Sequence, residues 1–473
     1  MMKIFIAIIW CFIFTKLLIF WVWLWQLKEY HLGRFKAHFE TQKIKKLLFS
    51  FHGIRYPKLT QKVFVILTFG ILFEFLFLFF IFNLTNYLFY IFLLISIILV
   101  PAIVSILILL LQIPVNILIK GILKKAEQKR KEFKNLIIIG ITGSYGKSST
   151  KEFLAIILSE KYNVLKTRKN INAEIGIAKT ILNELKPEHQ VFIAEIGAYE
   201  IGKIKQITQM IKPKIGILTG INEQHLSTFG SQENIRKAKY ELIENLPKNG
   251  VVIIKDKLDI RAEDIRVEKE YLLFRIESVD FKVNLLGKHN IQNILLAVSC
   301  AKKLGMSLEE ISKACLKIKP EQGGIKFLRK NGLTPLEPEP RKRLVRSPSG
   351  DLALTGLTVL DASYSANTAG VIADLNYLKI YPGKKVIVMP CLIELGKASK
   401  QVHKRICRKI GEVCNLAIIT TKDYFKEIKG ENKNILLIEN PKNIVVKLNE
   451  FCKDGDVILL EGRVPNEVIE SLS

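Results

Sequence analysis

None of the seven cysteines forms a C-x-x-C pair. Neither a zinc ribbon nor a secreted disulfide framework is therefore supported, and a reduced compartment fits. Acids are scarce: 44 Asp+Glu face 71 Lys+Arg, a formal net charge of +27. Charge almost vanishes between Val63 and Ile119, where Glu74 is the one charged residue. No internal repeat stands out, and no basic patch is interleaved with aromatics, which argues against nucleic acid as a partner. What is present is ample. The 473 residues are 49% hydrophobic, enough for about three domains with buried cores, and this excludes a disordered or collagen-like chain.

The uncharged stretch and an earlier apolar run predict a helical transmembrane domain over residues 1–134, with spans near 4–27, 63–82 and 87–112. The first run is too long for a signal-peptide core and has no small-residue cleavage site, so it stays in the chain. Residues 28–62 carry nine Lys/Arg against two acids, and residues 120–134 carry seven against two. The positive-inside rule then puts both basic segments in the cytoplasm and the N-terminus outside. The expected location is the cytoplasmic membrane, multi-pass, with the rest of the chain cytoplasmic and membrane lipid as a partner. Pro101 and Pro114 are expected to kink or end the third span. Trp21, Trp23 and Trp25 are expected to form an interfacial aromatic belt.

After Asn135 the texture changes to α/β. Apolar runs Leu136–Ile141, Val191–Ile196, Ile215–Thr219 and Val251–Ile254 alternate with amphipathic stretches, the pattern of a parallel sheet with crossover helices. The run 291–317 reads as two helices, Gly305 closing the first and Ser307 opening the second. A second series, Val386–Met389, Leu416–Thr420, Ile435–Ile438 and Val457–Leu460, follows the basic, Pro-rich stretch 329–350, which reads as a surface excursion. The boundary is placed near Pro320 to Gly324, giving domains at 135–322 and 323–473.

The most informative segment is LIIIGITGSYGKSSTKEFLAIILSEK, residues 136–161. An apolar strand runs into Gly143, Ser144, Tyr145, Gly146, Lys147, Ser148 and Ser149 and then an amphipathic helix. Glycines let backbone N–H groups approach phosphate oxygens, and a helix N-terminus favours negative charge. Lys147 would reach the outer phosphates and the Ser148 hydroxyl would hold magnesium. The strict G-x-x-x-x-G-K-[ST] pattern fails, because Ile141 stands at its first glycine. A Gly-rich turn before a helix is the alternative reading.

Eight segments in order carry a specific resemblance: GITGSYGKSSTKEF, TRKNINAEIG, AEIGAYEIGKI, INEQHLSTFGSQENIRKAKYELIE, LLGKHNIQN, DASYSANTAG, LIELGKASKQVH and GDVILLEGR. In them the chain resembles the Mur ligase family over residues 140–467. The resemblance implies a central P-loop ATPase domain and a C-terminal Rossmann-like domain, with ATP and Mg2+ as cofactors. It also implies ligation of a muropeptide carboxylate to an amino acid or dipeptide, D-alanyl-D-alanine by default, in peptidoglycan precursor synthesis.

Residue roles carry over motif by motif. The resemblance makes Lys147 a catalytic phosphate group, Ser148, Glu195 and His225 metal ligands, and Lys239 a carbamylated catalytic lysine. His289, Asn290, Asn293 and Asp361 match nucleotide-contacting positions, while Asn170, Asn172, Tyr364 and Asn367 match substrate-side positions. Without the motifs, His225 reads as an ordinary loop histidine, Lys239 as a solvated helix charge, Glu195 as an edge carboxylate, and the histidine–asparagine segment as a capped helix start.

The departures fall mainly in the C-terminal domain. Ala173, Ala362, Ser365 and Thr368 replace family residues, Glu461-Gly462-Arg463 stands for a K-G-S-R-like close, and Lys326 is the nearest substitute for an expected arginine. The family's soluble N-terminal domain, which holds the UDP-sugar, is replaced by spans and a basic loop, so the acceptor is UDP-linked or lipid-linked. Other readings are a Mur-like ligase with a different amine, a membrane NTPase, and a scaffold that kept the fold without turnover. The paucity of intramembrane polar groups weighs against the NTPase, and joint retention of Lys147, Glu195, His225 and Lys239 against the scaffold.

Overall fold

The structure, a computed structural model, describes residues 2–30, 32–38, 56–168, 170–319, 324–328, 357–363 and 366–473. Pro320 and the basic stretch 329–350 lie outside the described residues. The chain divides into two compact units, Met1–Ile122 and Leu123–Ser473.

In the first unit, three helices are long and apolar enough to cross a membrane: Met2–Leu27, Gln61–Ile81 and Asn86–Glu132. One expectation is corrected. The third helix neither ends near residue 112 nor breaks at Pro101 or Pro114; it continues to Glu132, about 70 Å at 1.5 Å per residue. Apolar helices tolerate proline where neighbouring helices re-satisfy the backbone. Trp21 and Trp25 are buried among the helices, Trp25 stacks on Phe35, and its indole N–H donates to Ser105 Oγ at 3.1 Å. A ring with one polar atom fills helix packing while its N–H finds a buried hydroxyl. Glu74, in the second helix, accepts a hydrogen bond from Thr15 Oγ1 at 3.0 Å.

The second unit holds three sheets. Strands β1 (Ile137–Thr142), β2 (Val164–Lys166), β3 (Val191–Glu195), β4 (Ile215–Leu218) and β5 (Val251–Ile254) form a parallel sheet in the order β2-β3-β1-β4-β5. Strands β6 (Glu263–Val267), β7 (Leu272–Ile276) and β8 (Val279–Val283) form an antiparallel meander. Strands β9 (Lys326–Phe327), β10 (Thr358–Ala362), β11 (Lys385–Met389), β12 (Leu416–Ile419), β13 (Ile435–Leu437) and β14 (Val457–Glu461) form the third sheet, ordered β13-β12-β11-β14-β10-β9, parallel except at β9.

The eight apolar runs read from the sequence all became strands of the two larger sheets. The meander, β2, β9 and β10 were not foreseen, being short or lacking long apolar runs. The two helices at 290–303 and 308–315 form as read; Gly305 takes a φ of 79° after the first, and Ser307 closes a capping box with Glu310 on the second.

Two features of the first sheet position chemistry. Ile141 pairs with Glu195 and Thr142 with Leu218, so the carboxyl ends of β1, β3 and β4 share one rim, where open α/β sheets bind ligands. Gly140 and Gly216 are also partners across β1 and β4. A Cβ on either would lie 2.9 Å from a leucine methyl, of Leu242 and Leu246 respectively. Their bareness lets the chain from Gln232 to Leu246 pack close on the sheet, and Lys239 rides on that helix.

Candidate active site

The phosphate loop is the turn from β1 into helix Lys147–Leu158. Gly143 and Gly146 have φ of 151° and 79°, conformations that side-chain-bearing residues rarely adopt. A Cβ on Gly143 would strike Thr219, and one on Gly146 the Asn293 side chain. Lys147 folds over the loop and donates to the Gly143 carbonyl at 2.7 Å. Burial pushes its ammonium below the usual lysine range, opposed by Glu195.

Glu195 ends β3 buried, and four side chains surround it. Ser148 Oγ donates to Oε2 at 3.0 Å, Asn172 Nδ2 donates to Oε1 at 3.2 Å, and the Lys151 ammonium lies 3.3 Å from Oε2. Thr167 Oγ1 accepts from the Glu195 backbone N–H. Asn172, expected on the substrate side, is thus tied to the carboxylate expected to hold metal. Sequence reasoning missed Lys151, although it lies one helical turn beyond Lys147 and three residues beyond Ser148, on the same helix face. Its ammonium is fully buried and also pairs with Glu152 at 3.3 Å. Ala173, at the start of helix Glu174–Glu184, provides no side-chain cap. Asn170 adopts a left-handed φ of 66°, an allowed choice for asparagine.

His225 also sits at a left-handed φ of 66°. Its ring meets Tyr199 edge-on, and Nδ1 lies 2.9 Å from Glu394 Oε2. Burial lowers its basicity, Glu394 opposes that, and the charges of Lys239 and Lys147 add to the lowering. Lys239 is buried and falls to about 7, through burial first and the Lys147 charge second, with Glu241 opposing. Lys147, His225 and Lys239 therefore belong to one electrostatic site. Glu241 is itself occupied, accepting from the backbone N–H groups of Gly202 and Lys205 at 2.6 and 2.9 Å.

The nucleotide-side positions divide. Asn293 packs against Gly146. Asn290 is fully buried and donates to the Leu286 carbonyl at 2.9 Å, holding the start of its own helix. His289 Nδ1 lies 3.7 Å from Asp374 Oδ1. A cavity of about 380 Å3 is lined by Lys255, Asp256, Arg261, Ile291, Gln292 and Leu295 among others. It adjoins the phosphate loop through Lys255, whose ammonium donates to the Tyr145 hydroxyl at 3.0 Å.

The C-terminal contribution is built from different pairings. Asp361 accepts from the Ser363 N–H at 2.9 Å and pairs with Lys326 at 3.3 Å. Asn367 caps helix Thr368–Leu378 through Gly370 N–H and receives Asn222 Nδ2 at 3.3 Å. Asp374 and Glu461 are buried facing each other, and burial raises both carboxyls above their ordinary range. Tyr364 lies outside the described residues.

The donor set around the loop fits magnesium. Ser148 and Glu195 offer hard oxygen donors beside the phosphate turn, and magnesium takes one or two carboxylates with waters and substrate phosphates rather than a closed protein cage. Among the described residues no three or more His, Cys, Asp or Glu form a chelating cluster.

The arrangement has relatives. A Mur ligase middle domain matches residues 141–268, and a Mur ligase, glutamate ligase domain matches residues 351–464. The chain is 30% identical over 294 residues to the UDP-N-acetylmuramoyl-tripeptide–D-alanyl-D-alanine ligase of Synechocystis, covering 58% of this chain and 59% of that enzyme. It is 27% identical to the Bacillus subtilis enzyme of the same name, covering 71% and 75%. In structure it resembles MurF from Acinetobacter baumannii, with a TM-score of 0.65, 23% identity, and coverage of 75% and 79%. It also resembles MurF from Thermotoga maritima, solved in complex with ADP, with a TM-score of 0.62, 23% identity, and coverage of 75% and 83%.

Proposed function

Because this chain belongs to the Mur ligase family, carrying its middle and C-terminal domains, we propose that it is a membrane-anchored, ATP-dependent peptide ligase of peptidoglycan precursor synthesis. Its acceptor is a muropeptide carboxylate, and its amine is by default D-alanyl-D-alanine, as in the names of its relatives. The observation that carries this reading is that Ser148 bonds Glu195 at the rim of the first sheet while the charge of Lys147 acts on Glu195, His225 and Lys239 alike.

ATP fits the loop. Backbone N–H groups and Lys147 would hold the phosphates, and the cavity beside Lys255 has the size of a small-molecule pocket and would take the base. Ser148 and Glu195 would hold magnesium, with His225 at a second metal; the ion would supply neutralisation of phosphate charge. The muropeptide carboxylate attacks the γ-phosphorus, ADP leaves, and an acyl phosphate forms. The amine nitrogen then attacks the acyl carbon, loses a proton, and inorganic phosphate leaves. The chain's part is positioning and charge compensation. Lys239, lowered to about 7 by burial, is partly a free amine at neutral pH and can react with carbon dioxide, releasing a proton to solvent and giving a carbamate anion beside Lys147. Bicarbonate labelled with carbon-13 should give a carbamate signal at Lys239 that strengthens as pH rises through 7; its absence at pH 8.5 would remove this role.

Exposed Phe12 on the first long helix, Phe64, Phe75, Phe79 and Phe80 on the second, and Ile98 and Ile106 on the third support insertion in the cytoplasmic membrane, and the basic segments flanking the spans support the catalytic unit lying inside. Burial of these apolar side chains in lipid offsets an apolar exposure that water would penalise. This placement suits a lipid-linked acceptor.

The test is amide formation by detergent-solubilised full-length protein given ATP, UDP-N-acetylmuramoyl-tripeptide and D-alanyl-D-alanine together and separately, with Lys147→Ala as control. Product only with all three establishes the reading. ATP loss without product under any pairing removes it. A different amine is the second reading, favoured by Glu461 standing where the family's closing motif has lysine; a panel of amino acids and dipeptides separates the two. A lipid-linked acceptor used less efficiently than the UDP-linked one would argue against substrate delivery from the membrane.

A further inference from the structure

Glu394 belongs to the C-terminal domain, yet its functional contacts lie in the middle domain. Its Oε2 lies 2.9 Å from His225 Nδ1, and its carbonyl accepts the Ser227 N–H at 3.3 Å. A carboxylate can only accept, so Nδ1 carries the proton, and in the neutral ring Nε2 is then the lone-pair nitrogen. Metal-bound histidines commonly have this arrangement, the second nitrogen donating to a carboxylate that fixes tautomer and orientation.

The turn that delivers Glu394 is held in a demanding shape. Glu394 has a φ of 64° and Gly396 one of 51°, and a Cβ on Gly396 would come within 3.3 Å of the Ser227 backbone. His403 anchors the turn from below. It is fully buried, Nδ1–H donates to the Ser399 carbonyl at 2.7 Å, Nε2 accepts the Leu392 N–H at 3.0 Å, and the ring stacks on Tyr424. Nearby, Asn222 meets Asn367 at 3.3 Å and Arg405 meets Glu223 at 3.7 Å, so the same loop is clasped from two more positions.

We propose that Glu394 is a positioning residue supplied by the C-terminal domain, which sets the tautomer and ring orientation of His225 and so makes metal capture at His225 depend on the two domains being docked. This rests on the ligase reading of His225 as a metal ligand, and deepens it: the second metal site is shared between domains, although its ligand lies in only one.

The experiment uses full-length protein in detergent with Mn2+ and a non-hydrolysable ATP analogue. Free Mn2+ is followed by EPR, and nitrogen coordination by the 14N modulation of the bound ion, with His225→Ala as reference. Glu394→Ala should weaken the His225-linked Mn2+ about 10- to 100-fold and reduce the 14N modulation, while affinity for the nucleotide analogue without metal stays within about twofold. Glu394→Gln, which keeps the shape and a neutral acceptor, should fall between; it decides the matter if the alanine variant does not fold. Mn2+ affinity within twofold of wild type in the folded variants, with unchanged 14N modulation, would overturn the proposal, as would a 14N signal that survives His225→Ala. A wild-type chain that shows the 14N signal but forms no amide with any amine would remove the ligase reading and leave Glu394's role standing.

Discussion

Two ion pairs of equal length flank the site and differ in everything else. Lys151 lies 3.3 Å from Glu195 in the middle domain, with its ammonium fully buried and the carboxylate nearly so. Lys326 lies 3.3 Å from Asp361 in the C-terminal domain, but the lysine side chain is 47% exposed. Distance therefore says little about what either contributes. The first pair is locked inside a network with Ser148 and Asn172, where loss of one partner strands the other without water. In the second, water can replace the lysine. The middle domain compensates its buried charge internally, whereas the C-terminal domain relies on a half-exposed lysine at the buried Asp361 and on a proton at the Asp374–Glu461 pair.

The largest effect expected from this contrast is on stability, from Lys151→Met. Removing one member of a buried pair costs about 3–5 kcal/mol, so the denaturation midpoint of the α/β unit should fall sharply. A loss under about 1 kcal/mol would mean that Ser148 and Asn172 alone satisfy Glu195. Lys147→Ala acts on chemistry instead. It removes a cation from the phosphate loop and should slow amide formation roughly 100- to 1000-fold, with stability little changed or improved because a buried ammonium is deleted. Product formation at saturating ATP, together with the melting curve, separates the two lysines.

Next in size is Glu461→Gln, and its effect depends on pH. Burial raises the Glu461 carboxyl well above its ordinary value of 4.5, reinforced by Asp374. The folded chain thus keeps a proton that the unfolded chain gives up. The favourable contribution is complete below about pH 4.5 and is lost as pH rises through the folded value. Wild type should lose stability from pH 5 to pH 8 more steeply than the glutamine variant, which stays neutral throughout. The two stability–pH curves should converge toward pH 5 and separate above it; parallel curves would show that the pair holds no extra proton.

How much was legible in the sequence follows the same division. The phosphate loop, Glu195 and the Gly305–Ser307 helix break were readable because the chemistry is local: a strand, a turn and a helix start within a few residues. The tie of Asn172 to Glu195 and the burial of Lys151 were not, since each depends on which strand end lies beside which, a matter of topology rather than pattern. Glu394 was visible within its motif, but its partner His225 stands 169 positions away, on the other domain. The inward tryptophans escaped for a related reason. Hydropathy cannot tell the face of an apolar helix that meets lipid from the face that meets another helix.

Lys326→Met should have the smallest effect. Asp361 keeps the Ser363 N–H at 2.9 Å, and the position vacated by a half-exposed lysine admits water. Asp361 is buried, but with its lysine half exposed the pair is worth about 0–1 kcal/mol, so the midpoint should shift by no more than that, and less in high salt, where the exposed charge is screened. If Lys326 instead substitutes for the arginine that this family places after the domain boundary, the same variant should raise the KM for the acceptor or for ATP while stability stays within that limit. A shift of 3 kcal/mol or more would make Asp361 as dependent on its lysine as Glu195 is, and the contrast between the two halves of the site would fail at the point where it is simplest to measure.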